Sequence, residues 1–307
     1  NRGVSASLRL GMRLANGDYV ARMDADDVAL PGRLEVQKEI LDTNPEITVV
    51  HSLVNRIDAE GHIVEPRYGE LRNDAETKWT LLWQNAIFHP TVMLRADGLK
   101  RSHINYRKET RIAQDFELWN RVAMVGSFYM INDVLLQYRL HDEKVSRPEN
   151  AARQLEVLGR IIRDNFSRYG IEINEVTARE IAVASGSTHY DMTAWPYSRL
   201  PVELRNLLLQ LDSRFMARHG VSAVQLRSEQ ARQFAQLSRS LAYAAPAASL
   251  RLLEQALWRE PGRLTKRRCW AILASTALPR SWIDRIGHQQ QGLAAPHSDK
   301  YSTNGNL

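Results

Sequence analysis

Residues 19–27, Tyr19-Val20-Ala21-Arg22-Met23-Asp24-Ala25-Asp26-Asp27, place an acidic cluster directly at the end of an apolar stretch. The apolar stretch predicts a strand, and the carboxylates then stand where this strand runs into a loop. Alternate side chains of an extended segment point to opposite faces, so Asp24 and Asp26 can share one site while Ala25 leaves room between them. The cluster has two interpretations: a site for a divalent cation, or a solvated acidic turn that also caps the next helix.

Several further segments, taken in order along the chain, resemble the signatures of family 2 glycosyltransferases, which are inverting sugar-nucleotide enzymes of the GT-A fold. They are NRG at 1–3, ARMDADD at 21–27, PGRLEVQ at 31–37, FHPTVMLR at 88–95, QDFELWNR at 114–121 and YRLHDEKVS at 138–146. The resemblance covers residues 1–150. It implies an α/β domain with a Rossmann-like, mixed and mostly parallel sheet.

The apolar periodicity predicts two parts in the chain. Strands are predicted at 19–23, 47–56, 91–94, 128–131 and 134–138, with helices up to Ala15 and at 32–43, 75–84 and 114–125. Residues 151–307 show helical periodicities without convincing strands, at 151–169, 174–185, 200–218, 227–244 and 247–259. We therefore expect a GT-A-like catalytic domain at 1–150 and an all-helical region at 151–307. For the helical region, a packed appendage is favoured over a peptide-binding repeat array, because no period is sustained over three units.

The start of the chain bears on the donor pocket. The sequence begins at Asn1, without Met, and enters directly into a helical pattern. In the resembled family, the preceding region supplies the first strands of the sheet and an acidic loop that holds the nucleotide base. We therefore expect the N-terminal part of the catalytic domain to be missing, and the chain to bind nucleotide-sugars weakly.

The acidic cluster gives the expected metal and donor residues. Release of a diphosphate is favoured by a divalent cation held between phosphate oxygens and carboxylates, and Mg²⁺ and Mn²⁺ prefer oxygen ligands. The resemblance implies that Asp26 is the main ligand, that Asp24 faces the ribose or the water shell of the metal, and that Asp27 faces the sugar hydroxyls. His141 of YRLH matches a metal-ligating histidine of GT-A enzymes, and an imidazole ligand would favour Mn²⁺. As a lone histidine, it is also compatible with an ordinary hydrogen-bonded role.

Asp115 is the candidate catalytic base. Inversion is a single in-line displacement, so one base on the acceptor side suffices, and the predicted helix 114–125 places Asp115 in its first turn. The alternative is that Asp115 only caps this helix. Glu117 is expected to orient the site, His89 to reach the acceptor or the diphosphate, and Arg22 to pair with a carboxylate or a phosphate.

Composition and charge restrict which disulfides and which partners the protein can have. The chain has 307 residues, 44% of them hydrophobic, and its single cysteine, Cys269, excludes an intramolecular disulfide. Its net charge of +6 is concentrated in residues 245–307. Basic residues interleaved with Trp270 and Trp282 predict that 263–285 either lies at an anionic membrane surface or forms a solvated basic face. Nucleic acid is a poorer explanation, since no recognition motif accompanies these charges.

The sequence thus predicts a cytoplasmic, inverting glycosyltransferase that adds a sugar to a polysaccharide or lipid-linked acceptor in cell-envelope glycan synthesis. A peripheral location on the inner face of the membrane depends on the first interpretation of residues 263–285. Two alternatives remain open. The first is a metal-dependent nucleotidyltransferase, which would leave Asp115 on the acceptor side without a use. The second is an inactive, truncated remnant that serves as a helical interaction module.

Overall fold

The computed structural model describes residues 3–108, 110–140, 151–185, 201–241 and 246–261. The strands are β1 (Tyr19–Ala21), β2 (Val28–Ala29), β3 (Ile47–Ile57), β4 (Ile63–Tyr68), β5 (Met93–Arg95) and β6 (Ser127–Arg139). The helices of the first part are α1 (Val4–Leu14), α2 (Arg33–Thr43), α3 (Asp74–Thr80), α4 (Ala96–Arg101) and α5 (Gln114–Val122). Those of the second part are α6 (Ala151–Arg168), α7 (Glu175–Ala184), α8 (Pro201–His219), α9 (Ala223–Leu241) and α10 (Pro246–Arg259).

The strands form one six-stranded mixed sheet in the order β1-β5-β3-β6-β2, and β4 pairs with the far end of β3. The α/β class followed by a helical region is confirmed. The expected majority of parallel pairings is wrong for the described sheet, because only β3 and β6 run parallel and the other four pairings are antiparallel. The connections account for two of these pairings: a hairpin joins β3 to the antiparallel β4, whereas α3, α4 and α5 lie between β3 and the parallel β6 and allow a crossover.

Strand β3 is the centre of the sheet. Most of its eleven residues are buried, which is the burial expected of a strand covered on both faces. Its apolar side chains Val49, Val50, Val54 and Ile57 are fully buried. Its neighbours in the sheet are β5 and β6, and β4 pairs with its C-terminal end.

The helical region packs on the same hydrophobic core as the sheet. Trp79 of α3 meets Phe215 of α8 edge-on at 5.2 Å, and Trp83 meets Phe166 of α6 at 5.6 Å between ring centroids. Asn165 of α6 donates to the main-chain carbonyls of Leu81 and Leu82 at 3.2 and 3.1 Å. Helices α6 and α8 are therefore joined to the α/β domain by buried aromatic contacts and hydrogen bonds. The proposed boundary at residue 150 stays a prediction.

The predicted elements agree with the structure where the apolar pattern is long, and β2, β4 and α4 were not predicted. Residues 141–150 and 262–307, which include His141 and the basic stretch 263–285, lie outside the described residues. Within the described part of the chain, none of the helices combines the length and apolar character that a bilayer span requires.

Candidate functional site

The acidic cluster lies in the loop between β1 and β2. These two strands stand at opposite ends of the sheet order, so the loop passes across one end of the sheet. The carboxylates of Asp24, Asp26 and Asp27 each offer an oxygen, and these oxygens lie within 4.8 Å of one another. Three carboxylate oxygens this close together form a donor set suited to a hard divalent cation.

Asp27 supplies the strongest sign that a cation fits this cluster. Its side chain is buried; Oδ1 accepts a hydrogen bond from the Arg139 main-chain N–H at 2.9 Å, while the buried Oδ2 has no hydrogen-bond partner among the described residues. Burial raises the pKa of Asp27 to about 6, and the carboxylates of Asp24 and Asp26 act in the same direction. A buried carboxylate oxygen without a partner is costly, and a bound cation would satisfy it.

Arg22 pairs with Asp24, as one of the sequence interpretations proposed. Its guanidinium makes two hydrogen bonds to the carboxylate, one of them between Nη1 and Oδ2 at 2.8 Å. Arg33 of α2 in turn donates to the main-chain carbonyl of Arg22 at 2.8 Å. The arginine that could reach a phosphate therefore lies against the cluster and is supported by a buried neighbour.

Arg139 holds the acidic loop in place, and sequence reasoning missed it. Its Nε donates to the main-chain carbonyl of Asp26 at 2.9 Å, and its Nη1 donates to those of Asp58 and Ala59 at 2.7 Å each. One side chain thus joins the end of β6 to both the acidic loop and the β3–β4 turn. Arg139 belongs to the segment YRLH, in which the resemblance implies a role only for the histidine.

A cleft of about 1060 Å³ brings together several residues predicted separately. Arg22, Asp24, His89 and Asp115 all line it, although they come from different segments of the chain. This volume is at the upper end of the range typical of small-molecule sites, which is large enough for a nucleotide-sugar-sized ligand.

Asp115 lies at the second position of α5. Ala113, with φ 54°, occupies the N-cap position, so the structure does not support the alternative in which Asp115 is the capping residue. The Asp115 Oδ2 accepts a hydrogen bond from Asn85 Nδ2 at 2.7 Å. Burial raises the pKa of Asp115, while the Phe116 main-chain N–H and Asn85 oppose this shift. A carboxylate of raised pKa that is oriented by a neighbouring amide has the properties of a general base.

His89 is buried in the wall of the cleft. Its Nε2 lies 2.7 Å from the Tyr106 hydroxyl, and its ring meets Trp119 edge-on at 5.8 Å. Burial lowers the pKa of His89 to about 3, and the nearby Arg22 guanidinium acts in the same direction. The imidazole is therefore neutral at physiological pH, so it can offer a hydrogen bond but not a positive charge to a diphosphate.

Glu117 does not line the cleft. Its buried carboxylate pairs with Arg121 at 2.8 Å and with Arg107 at 3.2 Å. These ion pairs stabilise α5 and the segment that precedes it. They favour a structural role for Glu117 over contact with the donor.

Comparison with known proteins finds similarity to glycosyltransferases. Residues 1–101 match the model of Glycosyl transferase family 2. An uncharacterized glycosyltransferase of Haemophilus influenzae is 32% identical over 197 residues, which cover 59% of this chain and 60% of that protein. The amylovoran biosynthesis glycosyltransferase AmsE of Erwinia amylovora is 27% identical, with 48% of this chain and 54% of that protein covered. The chain thus spans a little over half the length of these relatives.

The fold is similar to that of S. aureus TarS residues 1–349, with a TM-score of 0.45, 13% sequence identity, and coverage of 85% of this chain and 71% of that chain. The similarity to glycosyltransferases rests on the sequence matches and not on this likeness. Residues 1–101 are the part of the chain that is similar to Glycosyl transferase family 2.

Proposed function

We propose that this protein is an inverting glycosyltransferase that moves a sugar from a nucleoside diphosphate sugar to a polysaccharide or lipid-linked acceptor. The observation that carries the proposal is the single cleft in which Asp24 of the acidic cluster and Asp115 both lie. Such a cleft combines a cation-binding donor side with a base for the acceptor. The biosynthetic role in the name of the Erwinia relative supports a glycan product.

Asp24, Asp26 and Asp27 would hold Mn²⁺ or Mg²⁺. When bound, the cation stabilises the negative charge that develops on the leaving diphosphate. Asp26 is the proposed main ligand, and the unpartnered Oδ2 of Asp27 gives a further oxygen on the buried side. His141 remains a proposed additional ligand.

Asp115 takes the proton of the acceptor hydroxyl as that oxygen attacks the anomeric carbon. Its hydrogen bond from Asn85 fixes the carboxylate, and its raised pKa makes it a stronger base than an exposed aspartate. Arg22 can exchange its pairing with Asp24 for a phosphate once a cation binds the carboxylate. His89 contributes a neutral hydrogen bond to the ligand side of the cleft.

A nucleotidyltransferase is the less favoured function, because it has no use for Asp115 on the acceptor side of the cleft. We further propose that the enzyme acts in the cytoplasm at the inner face of the membrane. Weak binding of residues 263–285 to anionic lipid stays a prediction from the sequence.

The test compares the wild type with Asp26→Asn, Asp115→Asn and the exposed control Asp133→Asn. Calorimetry with UDP-, GDP- and dTDP-sugars, with and without Mn²⁺, reports donor binding, and single-turnover transfer reports the chemistry. We expect at least one donor to bind weakly, as predicted from the sequence, and only with Mn²⁺, and Asp26→Asn to abolish this binding. Asp115→Asn should retain donor binding while its transfer rate falls by roughly 10²–10⁴-fold, as expected for a positioned general base.

Two outcomes would contradict the proposal. Metal-independent donor binding that Asp26→Asn leaves unchanged would remove the cation from the mechanism. Transfer by Asp115→Asn at the rate of Asp133→Asn would show that the base lies elsewhere.

A further inference from the structure

Three aromatic side chains form a shelf along one wall of the cleft. Tyr68 of β4 meets Phe88 edge-on at 5.6 Å, and Phe88 lies 6.1 Å from Tyr138 of β6, between ring centroids. All three side chains are half-buried, and all three line the cleft. We propose that this aromatic shelf binds a neutral pyranose ring of the acceptor glycan, an inference that rests on the proposed transferase function.

The position of the aromatic shelf links it to both proposed catalytic elements. Tyr138 directly precedes Arg139, whose main-chain N–H holds Asp27, and the carboxylates of Asp27 and Asp24 add to burial in raising the pKa of Tyr138. Phe88 follows closely after Asn85, which orients Asp115. A ring seated on the shelf therefore lies in the same cleft as Asp115 and Asp24 of the acidic cluster.

Arg56 and the backbone at Gly69 pack against the shelf. The Arg56 guanidinium carbon lies 3.8 Å from the centroid of the Tyr68 ring, which covers one face of that ring. Next in the chain, Gly69 has φ 130°, and a Cβ there would lie 2.8 Å from Leu53 Cδ2 and 3.3 Å from Phe88. Only glycine allows this close approach, so the backbone after Tyr68 is packed against the shelf.

The helical region fixes the segment beyond Gly69. Arg72 Nε pairs with Glu229 of α9 at 3.1 Å, and Arg232 of the same helix pairs with Glu70. Because ordering a mobile loop costs binding free energy, a wall that is already held favours a binding surface over a passive loop.

The chemistry of the cleft favours a neutral sugar over an anionic one. Among the described residues, its lining contains four arginines and four carboxylates, so no net charge selects an anion. A pyranose presents an apolar C–H face to an aromatic ring and hydroxyl groups at its edges. The shelf supplies the aromatic face, and the paired charges around it supply hydrogen-bonding groups.

The experiment labels the protein with 3-fluorotyrosine and follows the ¹⁹F resonances of Tyr68 and Tyr138, assigned by loss in the Tyr→Phe variants. The probes are methyl β-D-glucopyranoside, methyl β-D-galactopyranoside, methyl N-acetyl-β-D-glucosaminide and uridine. We expect at least one glycoside to shift both resonances saturably, whereas Tyr129, which is 44% exposed on β6 outside the cleft, stays unchanged. Phe88→Ala should weaken glycoside binding roughly tenfold, the effect of losing one aromatic contact.

A second pair of variants separates binding from misfolding. Tyr68→Phe keeps the ring and should keep glycoside binding, read from Tyr138, while Tyr68→Ala should lose it with an otherwise unchanged spectrum. No shift with any glycoside, an equal shift of Tyr129, or a response to uridine alone would overturn the inference.

Metal-dependent donor binding, measured on the same samples, distinguishes failure of the aromatic shelf from failure of the transferase function. Donor binding without any glycoside response would defeat the aromatic shelf alone. Glycoside binding without donor binding would instead defeat the transferase function.

Discussion

Asp24 and Asp27 are equivalent in the sequence but have different surroundings in the structure. Asp24 is paired with Arg22 through two hydrogen bonds, whereas Asp27 is buried with one oxygen unpartnered among the described residues. A cation would compete with an arginine at Asp24 and would meet a desolvated carboxylate at Asp27. The sequence showed that the cluster carries negative charge. The difference between the surroundings of Asp24 and Asp27 depends on Arg139, which is distant in the chain.

His51 of β3 is also a buried titratable group. Both ring nitrogens are buried without a hydrogen-bond partner among the described residues, and burial, aided by Arg72, lowers its pKa to about 3. The unfolded chain takes up a proton near the ordinary pKa of 6.5, so His51 stabilises the fold above that pH and loses this contribution as the pH falls toward 3.

We predict that His51→Leu reduces the acid sensitivity of the fold. Between pH 7 and pH 5, the wild type should lose about 2 kcal/mol of unfolding free energy through this residue, because each pKa unit corresponds to about 1.4 kcal/mol. Urea unfolding of both proteins at the two pH values measures the difference. His103→Asn, at an exposed position, is the control, and an equal pH response of His51→Leu and wild type would contradict the prediction.

At the scale of elements, the sequence predicted the segments whose apolar pattern is long. The interruption expected between strands 128–131 and 134–138 is a register shift within β6, because Ile131 pairs with Ser52 and Val134 with Leu53. The residues between them are exposed, and such a bulge does not end the strand. Strand β2 has two exposed residues and β4 is mostly exposed, so neither carries the apolar alternation that a sequence reading requires.

At the scale of elements, we predict that Arg139 affects metal binding. Arg139→Met keeps an apolar stem of similar length but removes the donors that join β6 to the acidic loop and to the β3–β4 turn. We expect Mn²⁺ affinity, measured by electron paramagnetic resonance, to fall roughly 10–100-fold, the loss typical of removing an outer partner of a metal site.

The matched control for this change is Lys38→Met, which removes one exposed positive charge on α2. Its Mn²⁺ affinity should stay near that of the wild type. An equal loss of affinity in both variants would attribute the effect to net charge, and a loss of folding in Arg139→Met would be detected by circular dichroism.

At the scale of the whole molecule, the helical region does more than extend the chain. Gln154 and Leu158 of α6 line the cleft, and Glu229 of α9 holds the segment beside the aromatic shelf. The sequence indicated these helices from their periodicity, yet it could not show which faces meet the sheet. That information depends on contacts between distant residues, such as Asn165 with the carbonyls after α3.

Phe215 tests whether the two parts unfold together. Its ring is fully buried and contacts Trp79 of α3 across the junction, with a further contact to Tyr169 at 5.8 Å. Phe215→Ala should destabilise the protein by about 3–5 kcal/mol, the usual cost of emptying a buried aromatic site. Because the core is continuous, we expect one urea transition, with tryptophan fluorescence and far-ultraviolet circular dichroism shifting together. Trp258→Ala, at a side chain that is 73% exposed, should leave the midpoint nearly unchanged. If Phe215→Ala instead splits the unfolding into two transitions, so that the helical signal is lost before the sheet, then the helical region is a separate folding unit docked on the catalytic domain.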